Sequence, residues 1–224
     1  METTATLTRA ASWLNTTFAG LDHSVAQFAH SLHEGPLGGF LDWFMPAITF
    51  FADAGWAFLA LGLILLCFKK TRKLGMATLG GVIIGALFTN VCIKNFVARP
   101  RPYADTASDF YTWYQAVGPR PESDLSFPSG HTTAAFAAIT GLFFALGKKR
   151  KWRGWLYVIP VLIAFSRIYL MVHYTTDVLA GMIIGTLSGF LASLITRAVV
   201  RWTRQNKPEL ALRLWGAPKK KRRA

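Results

Sequence analysis

Cysteine and acid are what this chain has least of. Its 224 residues include two cysteines, Cys67 and Cys92. Both lie inside apolar runs, near ends that face opposite sides, which argues against a disulfide between them. They read as small buried hydrophobes. Eleven acids stand against 25 Lys and Arg, a formal charge of +14. With so few thiols and carboxylates, no cysteine cluster or carboxylate array is available to hold a metal. The opening METTATLTRAASWLNTTFAG lacks a basic start followed by a long apolar core, so no removable signal is expected. Internal repeats, low-complexity tracts and a separate soluble domain are also missing.

Apolar residues are plentiful, at 52% of the chain, and their distribution matters more than their number. Long runs cover residues 74–97, 131–146, 155–172 and 178–200, with a shorter one at 55–68. About twenty apolar residues cross a bilayer as helix, and these runs are too long for strands and too numerous for a soluble core. The pattern predicts an all-α, polytopic membrane bundle. The first third is mixed. Residues 12–33 alternate polar and apolar positions at helical spacing, and 37–52 (LGGFLDWFMPAITFFA) is interrupted by Asp42 and Pro46. As interfacial amphipathic helices they leave five spans with the N-terminus outside. If 37–52 crosses, there are six spans and the N-terminus is inside. The division expected is an N-terminal interfacial segment (1–52), a transmembrane core (53–200) and a basic tail (201–224).

The bases fall in KKTRK (69–73), KKRKWR (148–153) and the region from Arg197 to the terminal KKKRRA. If the helices alternate, all three share one side, and that side holds one acid, Glu209. Only Arg9, Lys94, Arg99, Arg101, Arg120 and Arg167 fall on the other. The positive-inside rule makes the basic side cytoplasmic and puts loops 98–130 and 173–177 outside. Topological anchoring and attraction to anionic lipid account for the basic tail without nucleic acid.

Three clusters gather at the outer end. In KNFVARPRP, Lys94 and Arg101 are cations where cations are otherwise scarce, and the prolines stop the helix. In Pro128-Ser129-Gly130-His131 a helix begins, with unpaired N–H groups and the positive end of its dipole, a ready anion site. In SRIYLMVHYTTD, Arg167 sits inside an apolar helix, a costly position that points to function. His173 and Asp177 are four residues apart there. A carboxylate on one imidazole nitrogen leaves the other free as base or nucleophile. Singly, each has a plainer account: snorkelling bases, an N-cap, an interfacial histidine beside a capping aspartate. Jointly, the cations, amides, two histidines and one aspartate suit a phosphate group attacked by histidine.

These clusters resemble the three signatures of the type 2 phosphatidic acid phosphatase superfamily. Lys94 with Arg101-Pro102 matches the first, residues 128–131 the second, and Ser166-Arg167, His173 and Asp177 the third, across roughly residues 40–200. The resemblance implies a helical bundle with its site near the membrane surface. In it His173 is the nucleophile, Asp177 orients it and His131 protonates the leaving oxygen. Lys94, Arg101, Arg167 and the Ser129–Gly130 amides hold the phosphate oxygens, and neither metal nor cofactor is required. Arg99 lies outside the signature and reads as a rim contact. The implied substrate is a lipid phosphate or diphosphate such as undecaprenyl diphosphate, phosphatidylglycerol phosphate or phosphatidic acid, with the bilayer as the other partner. Rival readings are a lipid phosphotransferase with the same histidine, a vanadate-dependent haloperoxidase, and a lipid-phosphate binder or transporter without turnover. Aromatics in loop 103–127 (Tyr103, Tyr111, Trp113, Tyr114) either shape access or anchor at the interface.

Overall fold

Apolar runs and turn residues set the order of elements. The computed structural model describes residues 7–51, 55–147 and 150–217, which contain helices and turns and no strand. In chain order the helices are α1 (Arg9–Thr17), α2 (Ala19–Glu34), α3 (Gly38–Phe51), α4 (Trp56–Cys67), α5 (Arg72–Ala86), α6 (Lys94–Val97), α7 (Asp109–Ala116), α8 (Gly130–Leu146), α9 (Val158–Tyr169), α10 (Thr175–Asn206) and α11 (Pro208–Trp215). Each expected apolar run is helical over most of its length, the run 155–172 ending its helix at Tyr169. The helical stretch beginning at Arg72 and the helix Thr175–Asn206 are long and apolar enough to cross a membrane, while Trp56–Cys67 and Gly130–Leu146 are apolar but shorter.

At the centre of the bundle α5, α8 and α10 pack on one another. Small residues permit the close approach. A Cβ at Gly185 would stand 2.5 Å from the Thr133 carbonyl oxygen, and one at Gly189 2.3 Å from that of Ala137. On α5, a Cβ at Gly81 would meet the same Ala137 oxygen at 2.6 Å. Backbones brought this near exchange dispersion contacts, the means by which helices associate in lipid, where apolar side chains gain nothing by leaving the hydrocarbon. The opposite face of α10 is inverted accordingly, with Ile183, Leu187, Leu194 and Ile195 exposed.

Two local irregularities place the site. α5 passes through a π-helical stretch, Leu87–Ile93, before α6. Such wide turns are rare and concentrate at functional positions. Ala98, at φ 48°, then ends the helix, and the two prolines of Arg99-Pro100-Arg101-Pro102 keep the following segment extended. Between α9 and α10, Met171 takes φ 55°, a conformation an unbranched L-residue adopts only when its surroundings impose it.

Helices α1 to α3 pack onto the core. α3 lies on α9, and α2 touches α3, α7, α9 and α10. Met45, Ala26 and Ala29 join Tyr114, Ile168 and Tyr169 in one apolar cluster. At the other end, the stretch expected as a basic tail contains α11, which folds back so that Ala211 and Trp215 cover Val200. Trp215 Nε1 donates to Thr203 Oγ1 at 2.8 Å, and Arg72 Nη1 to the Leu214 carbonyl at 3.0 Å. The terminal KKKRRA lies outside the described residues. The cysteines correct an expectation: Cys67 and Cys92 are free thiols on exposed positions and not buried ones.

Candidate active site

A cavity of about 590 Å³ opens where α5, α6, α8 and the α9–α10 turn converge. Its lining includes Lys94, Arg101, Gly130, His131, Arg167 and His173. Six of the eight residues singled out by the motifs therefore share one pocket, although up to 79 positions separate them along the chain. Lys94, Arg101 and Arg167 are 6%, 5% and 2% exposed. Three cations this close and this dry repel one another unless anions answer them.

The answering anions come from loop 98–130. Glu122 Oε2 lies 2.7 Å from Arg101 Nη2, and its other oxygen pairs with Arg167. Asp124 bridges Lys94 and Arg101. Tyr103 holds this strip in place, since its hydroxyl accepts from the Glu122 N–H at 2.9 Å. Tyr103 also stacks on buried Tyr114 at 4.2 Å, so these two aromatics brace the acidic loop. Burial raises the Asp124 carboxyl, but the Lys94 bond and the Arg101 charge outweigh it and leave it below its ordinary value of 3.8. The motif reading missed Glu122 and Asp124 because their partners are distant in the chain. It also missed Thr49 of α3, whose hydroxyl accepts from Arg167 Nη1 at 2.7 Å.

His173 sits just before α10, 2% exposed. Its Nε2 is 2.9 Å from Arg101 Nη1. A guanidinium only donates, so Nε2 accepts through its lone pair and the ring proton resides on Nδ1. Nδ1 faces the Asp177 carboxylate at 3.5 Å. The chain turns between the two residues, and Asp177 lies in the first turn of α10, where its Oδ2 also accepts the Tyr174 N–H at 2.9 Å. Burial first, then the charges of Arg101, Arg167, His131 and Lys94, hold the His173 imidazole well below its ordinary 6.5. The ring is neutral, and its unprotonated nitrogen points at the cations.

Two expectations need correction. Ser129 is fully buried and does not line the cavity. Its N–H donates to the Asp177 carbonyl at 3.1 Å, so this amide ties α8 to α10 and is not offered to an anion. Gly130 and His131, one step further along α8, do face the cavity. Arg99 is no rim contact. It is 1% exposed and bonded to Asp22, Asp177, Thr176 and Asn15. Spacing from Lys94 sets Arg101 apart from Arg99, but nothing in the local sequence shows that Arg99 is buried among partners from α1, α2 and α10.

Fold and site together define a helical membrane protein with a buried pocket lined by cations and histidines. Residues 75–201 match the PAP2 superfamily, more than half of the chain, and the chain belongs to that family. It is 35% identical over 130 residues to a protein of Sulfolobus acidocaldarius named undecaprenyl-diphosphatase, covering 58% of each chain. The chain therefore spans less than two thirds of that relative's length. It is 33% identical over 156 residues to undecaprenyl-diphosphatase BcrC of Bacillus subtilis, covering 67% of this chain and 72% of the relative. Among solved structures, the transmembrane PAP2-type phosphatidylglycerolphosphate phosphatase of Bacillus subtilis superposes with a TM-score of 0.64 at 27% identity, covering 85% of this chain and 91% of the other. LpxE of Aquifex aeolicus shares the fold, with a TM-score of 0.58 at 23% identity over 77% of this chain and 94% of the other.

Proposed function

We propose that this protein is a lipid phosphatase that removes phosphate from a membrane lipid phosphate or diphosphate through a phosphohistidine. The observation that supports this most directly is the neutral His173 Nε2 held 2.9 Å from a cation of the anion pocket. A phosphate whose oxygens engage Arg101, Arg167 and Lys94 meets that lone pair at close range. His173 Nε2 then bonds to phosphorus as the bond to the leaving oxygen breaks, and His131 gives that oxygen a proton. Nδ1–H keeps its proton, so the phosphorylated ring is cationic and is stabilised by Asp177 beside it. Water, yielding a proton to His131, then breaks the N–P bond and releases phosphate. The Gly130 end of α8 and the three cations stabilise the equatorial oxygens, where charge accumulates.

The names of the relatives favour a polyprenyl diphosphate or a phosphatidylglycerol phosphate as substrate. Lys73, Arg197, Arg201 and Arg204 line a groove at the end of the bundle opposite Lys94. By the positive-inside rule that end is cytoplasmic, and the active site opens on the outer face of the cell membrane. The test is phosphate release by purified protein from a panel of lipid phosphates, in the presence of chelator, beside His173→Ala. Turnover by His173→Ala, or activity that disappears with chelator, refutes the mechanism. Phosphate appearing on an added alcohol in place of water would identify a phosphotransferase.

A further inference from the structure

Asp177, assigned above to support the nucleophile, is itself gripped from behind. Its Oδ1 accepts from Arg99 Nη1 at 2.7 Å. Its Oδ2, the oxygen nearer His173, accepts from Ser126. Arg99 is shared. Nη2 donates to Asp22 Oδ2 at 2.8 Å, Nε to Asn15 Oδ1 at 2.7 Å, and Nη1 also to Thr176 Oγ1 at 2.7 Å. The guanidinium lies 3.7 Å from the centre of the Tyr174 ring. Asp22 in turn accepts the Thr176 N–H at 2.8 Å and the Thr176 hydroxyl at 2.9 Å. Every charged group in this assembly is at most 2% exposed.

With both carboxylates ionised, two carboxylates and one guanidinium make a buried group of net charge −1. A fully buried group of this kind is costly unless each member is bonded, and here each is. Asp22 therefore does more than hold α2 down. By drawing on Arg99, it leaves the Asp177 carboxylate only partly neutralised, and the surplus negative charge lies beside the imidazole that becomes cationic during attack.

We propose that Arg99 and Asp22 are positioning residues for the reaction, acting through Asp177 on His173, and that helices α1 and α2 are thereby a working part of the active site. The inference rests on the catalytic reading above. Lys94 at the start of α6, Arg101 in the extended segment after it, Arg167 of α9, His131 of α8 and Asp177 of α10 all act on His173, with Glu122 and Asp124 just beyond Arg101. Asp22 and Arg99 adjust the contribution of one of these, Asp177, and touch no substrate.

The full-length protein in detergent, turning over phosphatidic acid and a polyprenyl diphosphate, tests this with opposed variants. Asp22→Asn lets Arg99 neutralise Asp177 more fully, so kcat falls and the acid limb of its pH profile moves to lower pH. Arg99→Met removes the cation, so that limb moves to higher pH. It also frees Asp177 to turn, and kcat falls about tenfold to hundredfold, the loss of one or two charge-assisted hydrogen bonds. KM stays nearly constant in both. The double variant Asp22→Asn/Arg99→Met restores the net charge and recovers melting temperature while kcat stays low. Recovery of kcat together with melting temperature, or acid limbs that do not move apart in the single variants, would overturn the proposal in favour of a purely structural role. If Arg99→Met does not fold, Arg99→Lys serves in its place. It keeps the charge without the fork, and intermediate kcat with an unshifted limb is expected, whereas wild-type kcat overturns the proposal. His173→Ala separates the two levels. If it turns over, the catalytic reading fails; if it is inert while Arg99 and Asp22 variants match wild type, only this inference fails.

Discussion

The middle of the bundle and its site end are held together by opposite means. In the middle, α5, α8 and α10 meet through glycine, with backbone carbonyls where side chains would otherwise stand. At the site end, α2, α6, α9, α10 and the segments between them are joined by buried cations and the carboxylates and hydroxyls that answer them. The middle is specified by shape and tolerates no added atom. The site end is specified by charge and tolerates no unanswered ion. A protein built this way can hold three cations close together in a small pocket, because the glycine-packed segment beneath them leaves their spacing no freedom to relax.

Substitutions at the two ends separate these mechanisms. The largest effect is expected from His173→Ala, which removes the nitrogen proposed to attack phosphorus and should lower phosphate release by ~10³-fold or more while the melting temperature stays near wild type. Arg101→Ala comes next. It deletes a cation that also orients Nε2 and should cost about 10²- to 10³-fold in kcat/KM, the usual penalty for losing a donor to developing charge. In the middle, Gly189→Ala puts a methyl 2.3 Å from the Ala137 carbonyl oxygen and should cost about 1–3 kcal/mol of stability, as overpacking does, measured by thermal unfolding in detergent. Unchanged stability there would mean that the close approach is not what holds α8 to α10.

Smaller effects probe the charge balance. Glu122→Gln frees Arg101 and Arg167 for phosphate and should lower KM several-fold, about the worth of one partly exposed ion pair, with kcat little altered. A rise in KM would show that Glu122 organises the cations more than it competes for them. The pH dependence follows from His173. Its folded value is depressed below 6.5, so the reactive neutral form persists as pH falls through the ordinary histidine range, and activity is lost only when pH passes the depressed value. The acid limb of kcat/KM should accordingly lie below 6.5 and move upward in Arg101→Gln, in which one of the depressing charges is gone.

Much of this architecture was legible beforehand, for a definite reason. Helix positions follow from runs of apolar residues, and the motif residues Lys94, Arg101, Gly130, His131, Arg167 and His173 are recognisable because they fall in three short clusters at one end of the bundle that resemble the family's signatures. The glycines of α10, at 181, 185 and 189, carry a readable four-residue signal of close packing as well. Other features had no local signature. The π turn before Lys94 looks like any apolar helix in one dimension. Arg99 and Arg101, two residues apart in an extended segment, differ in spacing from Lys94, but nothing local shows what surrounds each.

By itself, the sequence determined the helices, the segregation of basic residues and the residue types of the anion pocket, since each depends on neighbours along the chain or on a few positions per turn. Tertiary structure alone decided that Ser129 ties α8 to α10, that Glu122 and Asp124 answer the cations, and that Asp22 shares Arg99 with Asp177. Buried charge has to be balanced in space, and the partners that balance it here come from segments up to 155 positions apart.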